Sequence, residues 1–333
     1  MVPLKITLVG GGKISCGKNR FSGIEPMSHM EGIIMSQYVV PHAVVEPSDE
    51  QKASIAHDWS GVKIYQSLGD VPCVSREVVV ICSPTINHYD CILDAIERKP
   101  LVIAVEKPLC FDLNIAESIF RLSRFSGVPI YVNYNRRMDK RFNELSEIVP
   151  KQPISIDVDY TNGINNYGSH FIDLIIHWYG RCLAVTQVGK FDIEAADPSP
   201  SFILQFENGL VAYFNGFSEI DYDLLDMNIW HKSGVIRLRA GGAHIAVESP
   251  KLDLYYTNYA HLNTVSESYG LVSGFREFYD KLGLAQNYHS VGQACGLEQG
   301  VLNVRIIDAV FRSFERGGET IILEEYKNPE MGL

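Results

Sequence analysis

The chain is 333 residues long, 46% hydrophobic and 21% charged, with a formal net charge of −11. That length suits about two domains, each with enough apolar content to bury a core. An acidic total without a Lys/Arg-rich block argues against a nucleic-acid partner, while a locally basic pocket can still accept an anionic small molecule. The 7 cysteines (Cys16, Cys73, Cys82, Cys91, Cys110, Cys182, Cys295) are odd in number and form no C-x-x-C. That pattern speaks against a disulfide framework or a structural zinc site and for a reducing compartment. No secretory leader pattern and no apolar run of the ~18 residues a membrane span needs is visible, so no membrane association and a cytoplasmic location are expected.

Leu4–Val9 reads as a buried strand and runs into Gly10-Gly11-Gly12-Lys13-Ile14-Ser15. This approximates the dinucleotide fingerprint G-x-G-x-x-G, with Gly10 for the tight turn, Gly12 for close approach of a pyrophosphate, and Ser15 in the third place. From Cys16 to Pro26 the sequence does not read as a continuous helix, so an insertion separates the turn from its helix, or the helix is broken. Lys18, Asn19 and Arg20 in this stretch either reach cofactor phosphates or substrate, or belong to a solvated loop. Helical spacing resumes over Ser28–Val39. The strand His42–Val45 ends at Glu46, placed to accept hydrogen bonds from an adenosine ribose and to repel a 2′-phosphate. No arginine follows it closely, which favours NAD over NADP.

A helix over Asp49–His57 and a short strand over Val62–Tyr65 come next. The strand Glu77–Cys82 ends in Ser83-Pro84-Thr85, with Thr85 read locally as an N-cap to the helix ending near Glu97. Leu101–Val105 is apolar without alternation, as in a strand buried on both faces, and it stops at Glu106-Lys107-Pro108. A charged pair at a strand's carboxyl end is either a ligand site or a solvated ion pair. A helix over Leu113–Phe125 capped by Asp112, then the strand Pro129–Val132 and Asn133, complete roughly 130 residues of alternating strand and helix, the pattern of a doubly wound parallel sheet.

Beyond Glu147 the pattern changes. Ile154–Tyr160 alternates, and Glu207-Asn208-Gly209 between strand-like runs predicts a hairpin with a type I′ turn. Further strands are read at Tyr222–Trp230, Val235–Arg239, His244–Glu248 and Leu252–Thr257, followed by helices near Ser268–Leu284 and Ser290–Arg316. The expected architecture is α/β: an N-terminal Rossmann domain over residues 1–134 and a C-terminal α/β domain over 135–333 with a large, mostly antiparallel open sheet. One helix stands apart, His170–Tyr179, whose His170, Asp173 and His177 fall within roughly 60° on an otherwise apolar cylinder. Such a stripe is a structural network, a metal site or a catalytic site. The lack of a further ligand cluster disfavours metal.

The glycine turn, Glu46, Ser83-Pro84-Thr85-x-x-His88, Glu106-Lys107-Pro108 and Asn166-x-Gly168-x-His170-x-x-Asp173 occur in this order, and together they resemble the Gfo/Idh/MocA oxidoreductases. The resemblance implies a nicotinamide cofactor, NAD here, held by Gly10, Gly12, Lys13, Ile14, Glu46, Ser83, Pro84, Thr85, His88, Glu106, Lys107 and Asn133. It also implies sugar, polyol or nucleotide-linked sugar substrates, and homodimers or homotetramers built through the C-terminal sheet. Lys107 matches the lysine that contacts cofactor and substrate hydroxyl, and His170 the usual acid/base. Many polyol dehydrogenases of the family carry aspartate where this chain has Asn166. Sugar-nucleotide members often have asparagine there, which shifts the expectation toward an activated sugar.

On this reading Lys107 stabilises the developing alkoxide, His170 moves the hydroxyl proton and Asn166 orients substrate or imidazole. Asp173 fixes a tautomer or touches substrate, and Tyr167 and Arg136 are further substrate candidates. Arg136 and Arg137 either hold a phosphate or carboxylate or pair with Asp139 and Glu144. Tyr255 and Tyr256 read as sheet-surface aromatics at an oligomer interface. Alternatives are an inositol or polyol dehydrogenase, redox-assisted elimination with retained NAD, and a non-catalytic NAD-binding sensor.

Overall fold

In the computed structural model, which describes residues 2–18, 25–256 and 258–323, the chain divides into two compact units. The first is Met1–Ile148 with Leu271–Val304, and the second is Val149–Gly270 with Arg305–Leu333.

The first unit opens with β1 (Leu4–Val9), α1 (Lys13–Cys16), α2 (His29–Met35), β2 (Val39–Val45), α3 (Asp49–Asp58) and β3 (Ile64–Tyr65). It continues through β4 (Glu77–Ile81), α4 (His88–Glu97), β5 (Val102–Glu106), α5 (Leu113–Ser126), β6 (Ile130–Asn133) and α6 (Lys140–Ile148). These six strands pair in the order β6-β5-β4-β1-β2-β3, parallel throughout. Every residue of β4 and β5 is buried, which is why neither strand alternates. Chain order reverses between β1 and β4, so the carboxyl ends of these strands border the crevice where such sheets take ligands.

The helix after the glycine turn is broken. α1 lasts a single turn, ending at Gly17, and α2 restarts where Ser28 Oγ accepts from the Glu31 amide and donates to the Gly17 carbonyl. Asn19 and Arg20 lie outside the described residues. The Lys18 ammonium stands 5.3 Å from the Trp59 ring and donates to the Asp58 carbonyl at 3.4 Å.

The second unit contains β7 (Ser155–Tyr160), a π-helical turn (Gly163–Gly168), α7 (Ser169–Tyr179), β8 (Cys182–Val188), β9 (Ser201–Phe206) and β10 (Val211–Gly216). Then come β11 (Leu225–His231), β12 (Gly234–Arg239), β13 (His244–Leu252) and β14 (Ala260–Tyr269). After them α8 (Phe275–Leu284) and β15 (Cys295–Gly296) belong to the first unit, where β15 pairs antiparallel with β6. α9 (Leu297–Glu315) supplies residues to both units, and β16 (Ile321–Ile322) pairs with β8. The second sheet runs β14-β13-β12-β11-β7-β10-β9-β8-β16. It is antiparallel except where β10 lies parallel to β7. The alternation in β7 buries Ile156, Val158 and Tyr160 and leaves Asp157 and Asp159 on the opposite face.

Several sequence expectations are corrected here. The β9–β10 hairpin exists, but its turn is not type I′. The Gly209 amide bonds to the Phe206 carbonyl at 3.0 Å, the Phe206 amide bonds to the Leu210 carbonyl at 2.9 Å, and only Gly209 has positive φ. That is a three-residue loop with the glycine in the bulge position. Residues 260–269 form a strand that the sequence conceals, since most of its side chains are exposed and little hydrophobic alternation survives. Pairing with β13 along its length makes it a strand. β13 in turn continues to Leu252, α8 begins at Phe275 rather than Ser268, and α9 begins at Leu297 rather than Ser290.

Candidate active site

In the first unit, register gathers the predicted cofactor residues at one rim of the sheet. Val9 pairs with Val45 and Ile81, Ile81 with Val105, and Glu106 with Asn133. Gly10, Glu46, Ser83, Glu106 and Asn133 therefore stand at or just past adjacent strand ends. Gly10 has φ +98, and a Cβ there would lie 2.7 Å from the Ser83 nitrogen. A Cβ on Gly12 would meet nothing within 4 Å, so the backbone of the turn is open to a large anion. Gly12, Lys13 and Ile14 are exposed, while Ser15, in the third glycine's place, is buried.

Glu46 is buried, with one oxygen accepting from the Gly11 amide and the other from the Ser48 amide, both at 2.8 Å. The carboxylate is thus locked beneath the glycine turn, with lone pairs to spare for ribose hydroxyls. The cation nearest along α3, Lys52, is engaged by Asp49 at 3.1 Å and by Gln66. These residues fit a nicotinamide dinucleotide.

Ser83 and Thr85 are half-buried and Pro84 is exposed, with Pro84 leading a short 3₁₀ turn into α4. His88 is buried and faces backbone rather than the rim. Its Nε2 lies 3.0 Å from the Ser83 carbonyl, and its Nδ1 lies 3.1 Å from the carbonyls of Pro108 and Leu109. Burial lowers its pKa against the raising effect of those carbonyls, and the ring braces the loops after β4 and β5. Glu106 is buried as well, with Oε1 accepting from His29 Nε2 at 2.8 Å and Asn133 Nδ2 at 2.6 Å. Burial pushes its carboxyl up, but His29, then the Asn133 hydrogen bond and the Lys107 charge, outweigh that and hold it below the ordinary value. Lys107 follows, half-buried, joined to Pro108 by a cis peptide. Arg136 is half-buried, whereas Arg137 is 2% exposed and donates to Gln299. Asp139 pairs with Arg141 at 3.2 Å.

In the second unit, Asn166, Tyr167 and His170 come from the π-helical turn and the first turn of α7, a backbone form that recurs at functional sites. Asn166 is exposed, Tyr167, His170 and His177 are half-buried, and Asp173 is fully buried. What shapes the turn is a residue the sequence did not flag, Asp197. Its carboxylate accepts from the Asn165 amide at 3.1 Å, the Asn165 side chain at 3.0 Å and the Asn166 amide at 2.9 Å. Nothing local announces it, since Asp197 lies in a Pro/Ser-rich loop more than two dozen positions downstream. Asp197→Ala is expected to cost about 2 kcal/mol in thermal or urea unfolding by stranding these donors. Asp197→Asn should cost roughly half as much.

Among the described residues no group of three or more His, Cys, Asp or Glu side chains could hold a metal ion, and no helix is long and apolar enough to cross a membrane. Residues 4–134 match the family model described as oxidoreductase family, NAD-binding Rossmann fold, GFO_IDH_MocA. The match identifies this N-terminal domain as an NAD-binding Rossmann fold of that oxidoreductase family. Among curated relatives, the uncharacterized oxidoreductase YrbE of Bacillus subtilis is 26% identical over 218 residues. That match takes in 55% of this chain and 62% of YrbE. The scyllo-inositol 2-dehydrogenase (NADP(+)) IolW of the same organism is 23% identical over 87% of this chain and 90% of its own. Among solved structures, UDP-N-acetylglucosamine 3-dehydrogenase GnnA from Acidithiobacillus ferrooxidans superposes with a TM-score of 0.75 at 15% identity. It covers 95% of this chain and all 100% of that one, a likeness of fold.

Proposed function

We propose that this protein is an NAD-dependent oxidoreductase of the Gfo/Idh/MocA type, interconverting a secondary hydroxyl and a ketone on a sugar, with an activated, nucleotide-linked sugar as the substrate class. The observation that carries the redox reading is the placement of Lys107 at the carboxyl end of β5, on the same rim as the glycine turn and Glu46. Bound nicotinamide supplies the hydride acceptor or donor. The chain's own residues manage the proton and the charge. Lys107 stabilises the alkoxide that forms as the hydroxyl loses its proton. His170 takes that proton and returns it in the reverse direction. Asn166 neither accepts nor gives a proton and orients the reacting hydroxyl. NAD is favoured over NADP because Glu46 is fixed by two amides and followed by further acids, an arrangement that repels a 2′-phosphate.

Asn166 at the place where aspartate marks polyol enzymes supports the activated-sugar reading. The inositol reading rests on the likeness to IolW, whose name gives it scyllo-inositol and NADP. Absorbance at 340 nm decides between them, with NAD or NADP against UDP-N-acetylglucosamine, scyllo-inositol and myo-inositol. NADH formation with the nucleotide sugar is expected. Turnover of the inositols alone would replace this substrate class with the polyol one, and cofactor binding without any turnover would favour a sensor.

A further inference from the structure

At the rim of the first unit, four polar side chains are sealed inside otherwise apolar packing: His29 and Tyr279 at 0% exposure, Asn133 at 6% and Glu106 at 8%. They come from four elements, α2, α8, β6 and β5. Tyr279 Oη lies 2.7 Å from His29 Nδ1, and His29 Nε2 lies 2.8 Å from Glu106 Oε1. One tautomer fits both contacts. With its proton on Nε2, His29 donates to the carboxylate and accepts from the tyrosine hydroxyl. Phe275 stacks edge-on to the imidazole at 4.9 Å, and Gly32 lets α2 approach the Phe275 backbone, so the ring has little freedom to turn.

A hydrophobic quartet would fill this volume at least as stably, because buried charge and its desolvation seldom repay their cost. What the polar version adds is position. The carboxylate is held from two sides and belongs to the residue directly before Lys107. Other titratable groups near Glu106 and Tyr279 are Cys82 past β4, His88 of α4 and Cys16 of α1. We propose that His29 and Tyr279 are positioning residues for Lys107, acting through Glu106. His29 fixes where the Glu106 carboxylate sits, Tyr279 holds the far nitrogen of the His29 ring in place, and the anion so placed anchors the strand end that carries Lys107. This deepens the proposed function by explaining how its lysine is held.

Two readouts test it, one independent of turnover. Trace labelling with acetic anhydride, read by peptide mass spectrometry, gives the reactivity of Lys107 relative to exposed Lys99. Tyr279→Phe and His29→Leu are each expected to raise that ratio about threefold or more, since a displaced or protonated Glu106 no longer fixes the strand end that carries the ammonium. In turnover, Tyr279→Phe should lower kcat about tenfold and His29→Leu about 100-fold, with KM for NAD changed less than about twofold. His29→Gln, whose amide can donate to Glu106 and accept from Tyr279, should recover most of the loss. Unchanged Lys107 labelling in both variants, even with a lowered Tm, would show a merely structural network and overturn the proposal. So would His29→Gln behaving like His29→Leu. If the wild-type protein turned over none of the substrates, the functional reading would fall, and the labelling ratio would still decide this assignment.

Discussion

Lys107→Met and His170→Ala are each expected to reduce kcat by about 10²- to 10⁴-fold while leaving NAD affinity within about threefold. A free alcohol ionises far above neutral pH, so hydride departure needs both a base for the proton and a cation for the oxygen left behind. Methionine keeps much of the lysine's length and apolar stem but removes the charge. Alanine removes the only part of residue 170 that can exchange a proton. Neither change touches the glycine turn or Glu46, so cofactor titration by fluorescence separates lost chemistry from lost binding. Near-wild-type turnover by either variant would remove that residue from the mechanism.

Gly10→Ala should weaken NAD binding by at least about 2 kcal/mol, roughly 30-fold, and lower Tm as well. The residue has φ +98, and the added Cβ would sit 2.7 Å from the Ser83 nitrogen and 2.8 Å from the Cys82 carbonyl carbon and oxygen. These are backbone atoms of the adjoining strand end, tied to β1 by the Cys82 amide bond to the Val9 carbonyl at 2.7 Å. They cannot step aside without parting β1 from β4 at the crevice. Gly12→Ala is the informative contrast. Gly12 has φ −66 and an open surround, so Tm should hold while NAD affinity falls, because the methyl group projects where the pyrophosphate must approach. Equal affinity in the Gly12 variant would move the pyrophosphate away from this turn.

The helical restart at His29 shows how far local signals reach. Glycines and the loss of helical spacing mark the break after Cys16, and the return of that spacing marks the restart near Ser28, because periodicity is a pattern among near neighbours. The partners of His29, at Glu106 and Tyr279, are 77 and 250 positions away. His88 carries the same lesson in reverse. Its motif suggested contact with the cofactor, and the structure gives both its nitrogens to backbone carbonyls of loops that meet only when β4 and β5 pair.

The sequence by itself determined the alternation of strand and helix, the buried central strands, the glycine turn, and the carboxyl-end placement of Glu46 and Lys107. Each of these follows from periodicity, steric demands or polarity within a few consecutive residues. Only the tertiary structure decided that Glu46 is locked to the glycine turn, that Asp197 shapes the turn carrying Asn166, and that residues 260–269 form a strand. In each of those cases a hydrogen-bonding group is satisfied by a partner distant in the chain, and no local pattern encodes which partner that will be.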